Sequence, residues 1–464
     1  MSRAAIVLLC GAACLAADRP AAGPLRVLPS NPRWFTDGSG KAVYLAGSHI
    51  WQSLQDSGLL IRGAVQNPPP VFDYDGYLDF LARHNHNFFR LWRWEVPKWT
   101  DEYGGGGVKY CRPHPWERSG PGAAADGEPK FDLTRFNQAY FDRMRSRLIA
   151  ARDRGIYASV MLFESWELQF TDGWAYHPFH EPNNVNGVEA DADNDGKGLE
   201  YSTLQNSPRG RRVLDLQQAY VRKVIDTVND LDNVLYEISN EAFGESTEWQ
   251  YHLIRFVKEY ESGKPKQHPV GMTFQYKGGT NANLYQSPAD WISPNPGSAE
   301  ESYMDNPCAN CAGKVVVNDT DHLWGHTGGD NVWVWKSFTR GLNVLFMEEL
   351  LPSPTWQDSA RLAMGQTRRY AGKMDLAAMI PDAKLSTTRY CLAGRGREYL
   401  VFQSNKGEFT LDLRDAAGTF AVEWLDVNAD RTVAAKPVQG GAVRTFTTPF
   451  PGPAALYLKA QGAP

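Results

Sequence analysis

Short apolar runs that end in a polar or charged residue alternate along this chain with stretches whose apolar residues recur every three to four positions. The first pattern is that of strands buried on both faces, the second that of amphipathic helices. Eight runs of the first kind fall at residues 42–49, 87–95, 155–164, 234–243, 269–275, 289–293, 314–319 and 342–348. Helical spacing is predicted over 77–84, 135–154, 211–231, 246–261 and 358–374. A turn-rich lead-in at 31–40, with Asp37-Gly38 at its bend, predicts a short hairpin ahead of the first strand. Two insertions, 104–129 (rich in Gly and Pro) and 171–208 (polar), read as loops. Alternating strands and helices imply a parallel sheet. Eight units over roughly 310 residues fit a (β/α)8 TIM barrel with long loops, whose usual size is ~250 residues. A doubly wound sheet shares the alternation, but it does not account for polar residues gathering just past almost every strand.

From about residue 383 the texture changes to short, mostly alternating runs at 389–393, 398–404, 409–413, 420–426, 443–446 and 454–458. Turns such as Ala417-Gly418 and Gly440-Gly441 separate them, which predicts a small antiparallel β-sandwich. Such a module either binds a ligand or packs against the barrel. Residues 1–17 carry one early Arg, an apolar run and small residues at its end, the pattern of a secretory signal cleaved near Ala16 or Ala17. A lipoprotein reading at Cys14 is weaker, because Gly11 stands where a larger aliphatic is wanted. The organisation read from sequence is therefore a signal at 1–17, a barrel at 24–378 and a sandwich at 383–460, secreted or periplasmic.

Composition narrows the partners. No later run reaches transmembrane length, so no membrane insertion is expected. A net charge of −5 gives no electrostatic case for nucleic acid. The 15 Trp, 20 Tyr and 21 Phe suit a cleft that stacks on sugars, so an oligo- or polysaccharide is the expected substrate and the chain is expected to act as a monomer. Of the cysteines past the signal (Cys111, Cys308, Cys311, Cys391), the Cys308-x-x-Cys311 pair sits in a Pro/Asn/Gly-rich loop with no second pair at zinc spacing. A disulfide suits an oxidising compartment better than a metal or redox site.

The fourth run ends in Asn240-Glu241, a carboxylate where barrel enzymes keep their chemistry. Capping of the following helix is the plainer alternative for Glu241. Glycoside hydrolysis needs a second carboxyl across the mouth, about 5 Å away for retention and farther for inversion. The seventh run supplies Asp319 and Asp321, which share parity with Val315 and Val317 and face one way if the strand stays extended. Either serves as nucleophile or as base, unless both merely cap a loop. No Ser/His/Asp or metal-ligand spacing supports a protease.

Asn240-Glu241, Arg90 at the end of the second run and an acid after the seventh resemble the clan A glycoside hydrolases. More closely, Phe35-Thr-Asp-Gly-x-Gly, Tyr44-Leu-Ala-Gly-Ser-His-x-Trp51, Phe89-Arg-Leu-Trp92 and Tyr236-Glu-Ile-Ser-Asn-Glu241 resemble the apiosidase-like family of exported barrels. The C-terminal part resembles the collagen-binding-type module that often follows such barrels, a name for similarity and not for a shown activity. The resemblance implies a retaining hydrolase of O-glycosidic bonds in plant or microbial polysaccharide. In it Glu241 is the acid/base, Asn240 and Arg90 position substrate and nucleophile, and the seventh-run acid attacks. The chain departs from the clan in having Asp there instead of Glu, one methylene shorter, and Glu348 after the eighth run is a fallback partner. Residues expected around the mouth are His49, Trp51, Trp92, Arg93, Trp94, Glu95, Glu164, Trp166, His322 and Trp324. The chemistry requires no cofactor. Asp191-Ala-Asp193-Asn-Asp195-Gly196 matches the first half of a calcium loop without its closing Glu, although Glu200 is near, so a structural calcium is a further expectation. The competing reading is a non-catalytic carbohydrate- or matrix-binding protein on a barrel scaffold.

Overall fold

Eight parallel strands surround a common axis: β1 (Ala46–His49), β2 (Phe88–Leu91), β3 (Tyr157–Glu164), β4 (Val234–Asn240), β5 (Val270–Thr273), β6 (Trp291–Ser293), β7 (Val315–Asp319) and β8 (Asn343–Met347). This computed structural model describes residues 19–58, 67–100, 107–170, 172–298, 302–310, 312–325, 328–348 and 357–462. The signal read at 1–17 and Cys311 lie outside them. The strands pair in sequence order from β2 round to β8 and on to β1. Between β1 and β2, Asn87 closes the ring: its side-chain carbonyl accepts from Ala46 N–H at 2.9 Å, and its backbone N–H donates to Ala46 O at 2.8 Å. At this seam a Cβ on Gly47 would stand 2.0 Å from the Phe88 carbonyl oxygen, so only glycine allows the approach.

The shell holds α1 (Tyr74–Arg83), α2 (Gln138–Asp153), α3 (Pro208–Val228), α4 (Thr247–Ser262), α5 (Asn281–Gln286), α6 (Thr320–Trp324), α7 (Asn331–Thr339) and α8 (Asp358–Lys373). Asp73, Asn137 and Ser207 cap α1, α2 and α3 through their side chains, satisfying N–H groups the first turn leaves free. Along α3 the buried residues 213, 217, 220, 221, 224, 225 and 228 make one stripe against the strands. Strand alternation divides the apolar side chains. Leu45, Phe88, Tyr157, Leu235, Trp291, Val315, Val317 and Leu345 fill the barrel interior, and the opposite parity packs on the helices. Gly271 makes room for the Trp291 indole, whose ring would lie 1.9 Å from a Cβ there.

The insertion expected as loop at 104–129 is instead largely β. Val108–Arg112 pairs with Asp56–Ser57 and with Lys98–Thr100, and Trp116–Ala123 pairs with Pro129–Phe136 as a hairpin. Residues 104–106 lie outside the described residues; Gly120, Pro121 and Gly122 fall in the irregular part of the hairpin and Gly127 at its turn, which hides the alternation from a reading by composition. The 171–208 insertion holds short 3-10 turns packed around Trp174, Phe179 and Tyr201.

The C-terminal strands are β9 (Ile380–Pro381), β10 (Cys391–Gly394), β11 (Glu398–Gln403), β12 (Glu408–Asp412), β13 (Thr419–Asp426), β14 (Arg431–Gln439), β15 (Val443–Thr447) and β16 (Ala454–Ala460). They form a six-stranded antiparallel sheet in the order β9-β10-β11-β16-β13-β14, and β12 with β15 makes a second layer over it. Phe409, Trp424 and Phe446 meet between the layers. The other face of the large sheet rests on α7 and α8, where Trp335 stacks on Phe402 and Gln366 donates to Val427 O at 2.9 Å. One apolar core thus runs from the barrel shell into this sheet. Cys308 is disulfide-bonded, and Cys111 and Cys391 are free, buried thiols. No described helix is long and apolar enough to cross a membrane.

Candidate active site

Inward parity places His49 of β1, Arg90 of β2, Glu237 of β4 and Asp319 of β7 in one layer above the apolar filling of the barrel. Arg90, 1% exposed, is its hub. Nε and Nη2 clasp both Glu237 oxygens (2.9 and 2.5 Å), Nη2 also donates to Asn240 Oδ1 (2.5 Å), and Nη1 reaches Asp319 Oδ2 (3.3 Å) and Asp321 Oδ2 (2.7 Å). Burial by itself would strip charge from the guanidinium. Glu237, Asp319 and Asp321 outweigh that and keep it charged. Asp319 is likewise buried, but His49 at 3.2 Å and Arg90 hold its carboxyl well below the usual carboxylate range.

The strand-seven geometry corrects the expectation of an extended run through Asp321. The strand stops at Asp319, whose Oδ1 accepts from Asp321 N–H at 3.0 Å and so caps the helical turn α6. Asp321 therefore reaches Arg90 from the helical turn, not from the strand. Capping does occur, yet both acids converge on the same guanidinium.

Glu241 stands at the opposite side of the mouth, immediately past β4, with φ of +44°. A non-glycine residue in that region is strained, and such outliers concentrate at functional sites. It does not cap α4, which begins at Thr247 behind Ser246. Unlike the acids on Arg90 it is partly exposed, and its described hydrogen-bond partner is Gln169 Nε2 at 3.2 Å. Burial of the carboxyl, then the charges of Asp321 and Glu164, push its pKa well up; Gln169 and Arg90 oppose them. Glu164 ends β3 without an arginine partner among the described residues. Its oxygens accept from Trp166 N–H (2.8 Å), Glu167 N–H (3.1 Å) and Asn240 Nδ2 (3.2 Å), and burial raises it to about 8. His322 shares a hydrogen bond with Ser293 Oγ through Nδ1 (2.7 Å) and faces Asn240 Oδ1 with Nε2 (3.4 Å).

An aromatic wall rises on one side. Trp92 stacks on His49 with ring centroids 5.5 Å apart and lies beside Trp51, which in turn meets Trp166 at 6.2 Å. Trp92 and Trp94 are buried, whereas Trp51 and Trp166 keep partly exposed faces. Trp324 is partly exposed against Trp333. Two expected mouth residues belong elsewhere. Arg93 and Glu95 pair at 3.1 Å in a buried network with Tyr201 and His177. Glu348, the fallback partner, shares parity with Val344 and Phe346, so it points outward and takes a two-pronged ion pair from Arg361 of α8. Glu237, Gln169 and Ser293 are not among the expected residues. Of these Glu237 leaves a signal, a charge inside an apolar strand at inward parity.

His49, Asp319 and Asp321 present ligand atoms within 4.8 Å of one another, but Arg90 Nη1 bonds both aspartates and supplies the positive charge a metal would bring. Of the calcium expectation, Asp191 and Asp193 do come together, joined by Glu200. Asp195 does not: its carboxylate takes the Lys197 ammonium at 2.7 Å.

Residues 109–277, from the first strand of the insertion past β5, match a family described as a domain of unknown function (DUF6298). No match was found among curated proteins. Solved structures resemble nearly the whole chain. A glycoside hydrolase family 5 protein from Bacteroides vulgatus ATCC 8482 superposes with a TM-score of 0.59 at 12% identity, covering 94% of each chain. A candidate glycoside hydrolase from the same organism gives 0.61 at 14%, covering 94% of this chain and 82% of that one. A third, described as a glycoside hydrolase, gives 0.58 at 11%, covering 95% and 98%. The likeness is one of fold. It places the chain's architecture with the family 5 barrels and leaves the chemistry to the side chains.

Proposed function

We propose that this chain is an exported glycoside hydrolase that cleaves O-glycosidic bonds in plant or microbial polysaccharide. Glu241 protonates the glycosidic oxygen as its bond to the anomeric carbon breaks, and Asp321 attacks that carbon to form a glycosyl ester. Water then displaces Asp321, giving its proton to Glu241, with net retention. Retention follows from the clan A resemblance.

The observation that carries the reading is the contrast between the two acids. Glu241 is partly exposed, paired among the described residues with an amide, and kept protonated by burial and by the charges of Asp321 and Glu164. Asp321 rests on Arg90 at 2.7 Å. A protonated carboxyl facing one that is paired with a guanidinium suits the division into acid and nucleophile. Asp319 is the poorer nucleophile, being 1% exposed and held between His49 and Arg90. It orients Arg90 and starts α6. Trp51 and Trp166 offer faces for sugar rings, with Asn240 and His322 next to the reacting centre. Export is supported by the N-terminal pattern and by the disulfide at Cys308, which suits an oxidising compartment.

The test is reducing-sugar release from pectic and hemicellulosic glycans by wild type beside Glu241→Gln, with the first-formed anomer read by NMR. Glu241→Gln is expected to lose roughly 10²–10⁴ in kcat, the usual worth of a general acid, while still binding glycan. If wild type binds glycans and releases no reducing ends from any, the chain is a binding protein on a barrel scaffold and the proposal fails. An inverted first anomer would keep the hydrolase and replace the attack by Asp321 with base catalysis.

A further inference from the structure

In the mouth Glu237, Asp319 and Asp321 lean on Arg90, and in the buried network beside it Glu95 leans on Arg93. Glu164 and Glu167 have no cationic partner among the described residues, although they are 1% and 0% exposed. A buried acid without a cation is costly and is retained where it does something. Glu167 acts locally, since its Oε2 accepts the N–H groups of Glu95 (2.6 Å) and Val96 (3.1 Å) and pins the chain after β2. Glu164 reaches further. It sits opposite Asn240 in the β3–β4 register, and its third donor is the Asn240 amide.

The orientation of that amide is forced. Arg90 can only donate, so Asn240 must turn Oδ1 toward Arg90 and present Nδ2 to the other side, where only an acceptor fits. Glu164 is that acceptor. Asn240 directly precedes Glu241, so Glu164 fixes the residue from which the acid/base is hung. It also acts through space. The groups that bear on Glu241 are Asp321 from α6, Glu164 from β3, Arg90 from β2 and Gln169 from the turn after β3. Those that bear on Glu164 are the N–H donors of Glu167, Asn240 and Trp166, and the charge of Glu95.

We infer that Glu164 is a positioning residue for the acid/base, acting on Glu241 through its charge and through the Asn240 amide. The purpose of this device rests on the hydrolase reading, but its measurement does not. As pH rises and Glu164 ionises, its new negative charge opposes loss of the proton from Glu241, which keeps the acid form available at higher pH.

The test labels the glutamate carboxyl carbons of the full chain with 13C and follows their signals from about pH 4 to about pH 10, spanning ordinary and raised carboxyl midpoints. The Glu241 signal is the one missing from Glu241→Gln, and the Glu164 signal the one missing from Glu164→Gln. In folded Glu164→Gln the Glu241 midpoint is expected to fall by about one pH unit, as when a like charge is removed. Glu164 titrates while Glu241 is still neutral, so the coupling shows on Glu241, and the Glu164 midpoint is expected to stay in place in Glu241→Gln. If Glu164→Gln does not fold, Glu164→Asp draws the charge back by one methylene, and the Glu241 midpoint must fall there too, by less. An unmoved Glu241 midpoint overturns the inference. Once a hydrolysed glycan is in hand, the basic limb of the kcat profile in Glu164→Gln must move to lower pH with the Glu241 midpoint; a uniform loss of kcat with an unmoved limb would mean a merely structural Glu164. If the Glu241 midpoint shifts and no glycan is hydrolysed, the coupling stands and the hydrolase reading falls alone.

Discussion

Replacing Arg90 by lysine keeps a positive charge in the barrel and removes the fork. The guanidinium serves Glu237 twice, Asn240, Asp319 and Asp321. An ammonium has three donors and no planar fork, so at least two of these acceptors lose their partner. A buried acceptor left unpaired costs about 1–3 kcal/mol, which puts Arg90→Lys at about 2–6 kcal/mol. Unfolding entropy of about 2.1 cal/mol/K per residue over 464 residues makes 1 kcal/mol worth about 1 °C of melting temperature. Calorimetry at pH 7 is therefore expected to show a fall of about 2–6 °C for a single transition. The deficit should shrink toward about pH 4, where orphaned carboxyls can take up protons and no longer need a cation. A variant melting within about 1 °C of wild type at pH 7, where the reasoning requires the larger loss, would show that Arg90 is not the hub of this layer.

Glu348→Gln is expected to cost about 3–5 kcal/mol, as for breaking a buried ion pair, with glycan turnover nearly unchanged; urea melts beside a rate assay check both. A large loss of turnover at unchanged stability would put Glu348 back in the mouth. The pH dependence of stability carries the mark of Glu164. Its pKa rises on folding from the ordinary 4.5 to about 8, so the folded chain holds the extra proton between those values. Wild-type stability relative to Glu164→Gln is then greatest below 4.5 and declines as pH rises to about 8. Denaturant titrations at several pH values that show a constant difference would contradict this. Gly47→Ala should open the β1–β2 seam and lower stability by about 1–3 kcal/mol or more, the usual cost of overpacking; an unchanged melt would refute the close approach.

The barrel is legible in the sequence because each strand is an apolar run ended by a polar residue at the mouth, and the eight predicted runs contain the eight observed strands. The site is legible in part for the same reason: Arg90, Asn240 and Asp319 are residues at or beside those ends. Asp321 comes to the right place by a different geometry, since parity assumes an extended chain and Asp319 ends the strand by capping α6. Glu348 misleads because a strand-end acid looks alike whether it faces the axis or the helices; only the parity shared with Val344 and Phe346 tells them apart. Strand β14 escapes because Arg431–Gln439 is exposed almost throughout and has no apolar face to alternate with a polar one. The hairpin of the insertion escapes because its glycines and prolines outweigh its few buried residues.

The core shared between α7, α8 and the C-terminal sheet bears on how this protein can be made. All eight staves of the barrel have left the ribosome before Phe402 and Tyr457 are translated, yet those two rings lie against Trp335 and Tyr370 of the shell. A nascent chain ending at residue 378 would carry every strand of the barrel and still expose a greasy flank. Completion must wait for the sheet that carries those two rings, which makes that sheet a poor cassette for grafting onto other barrels and leaves the truncated barrel prone to clump through that flank.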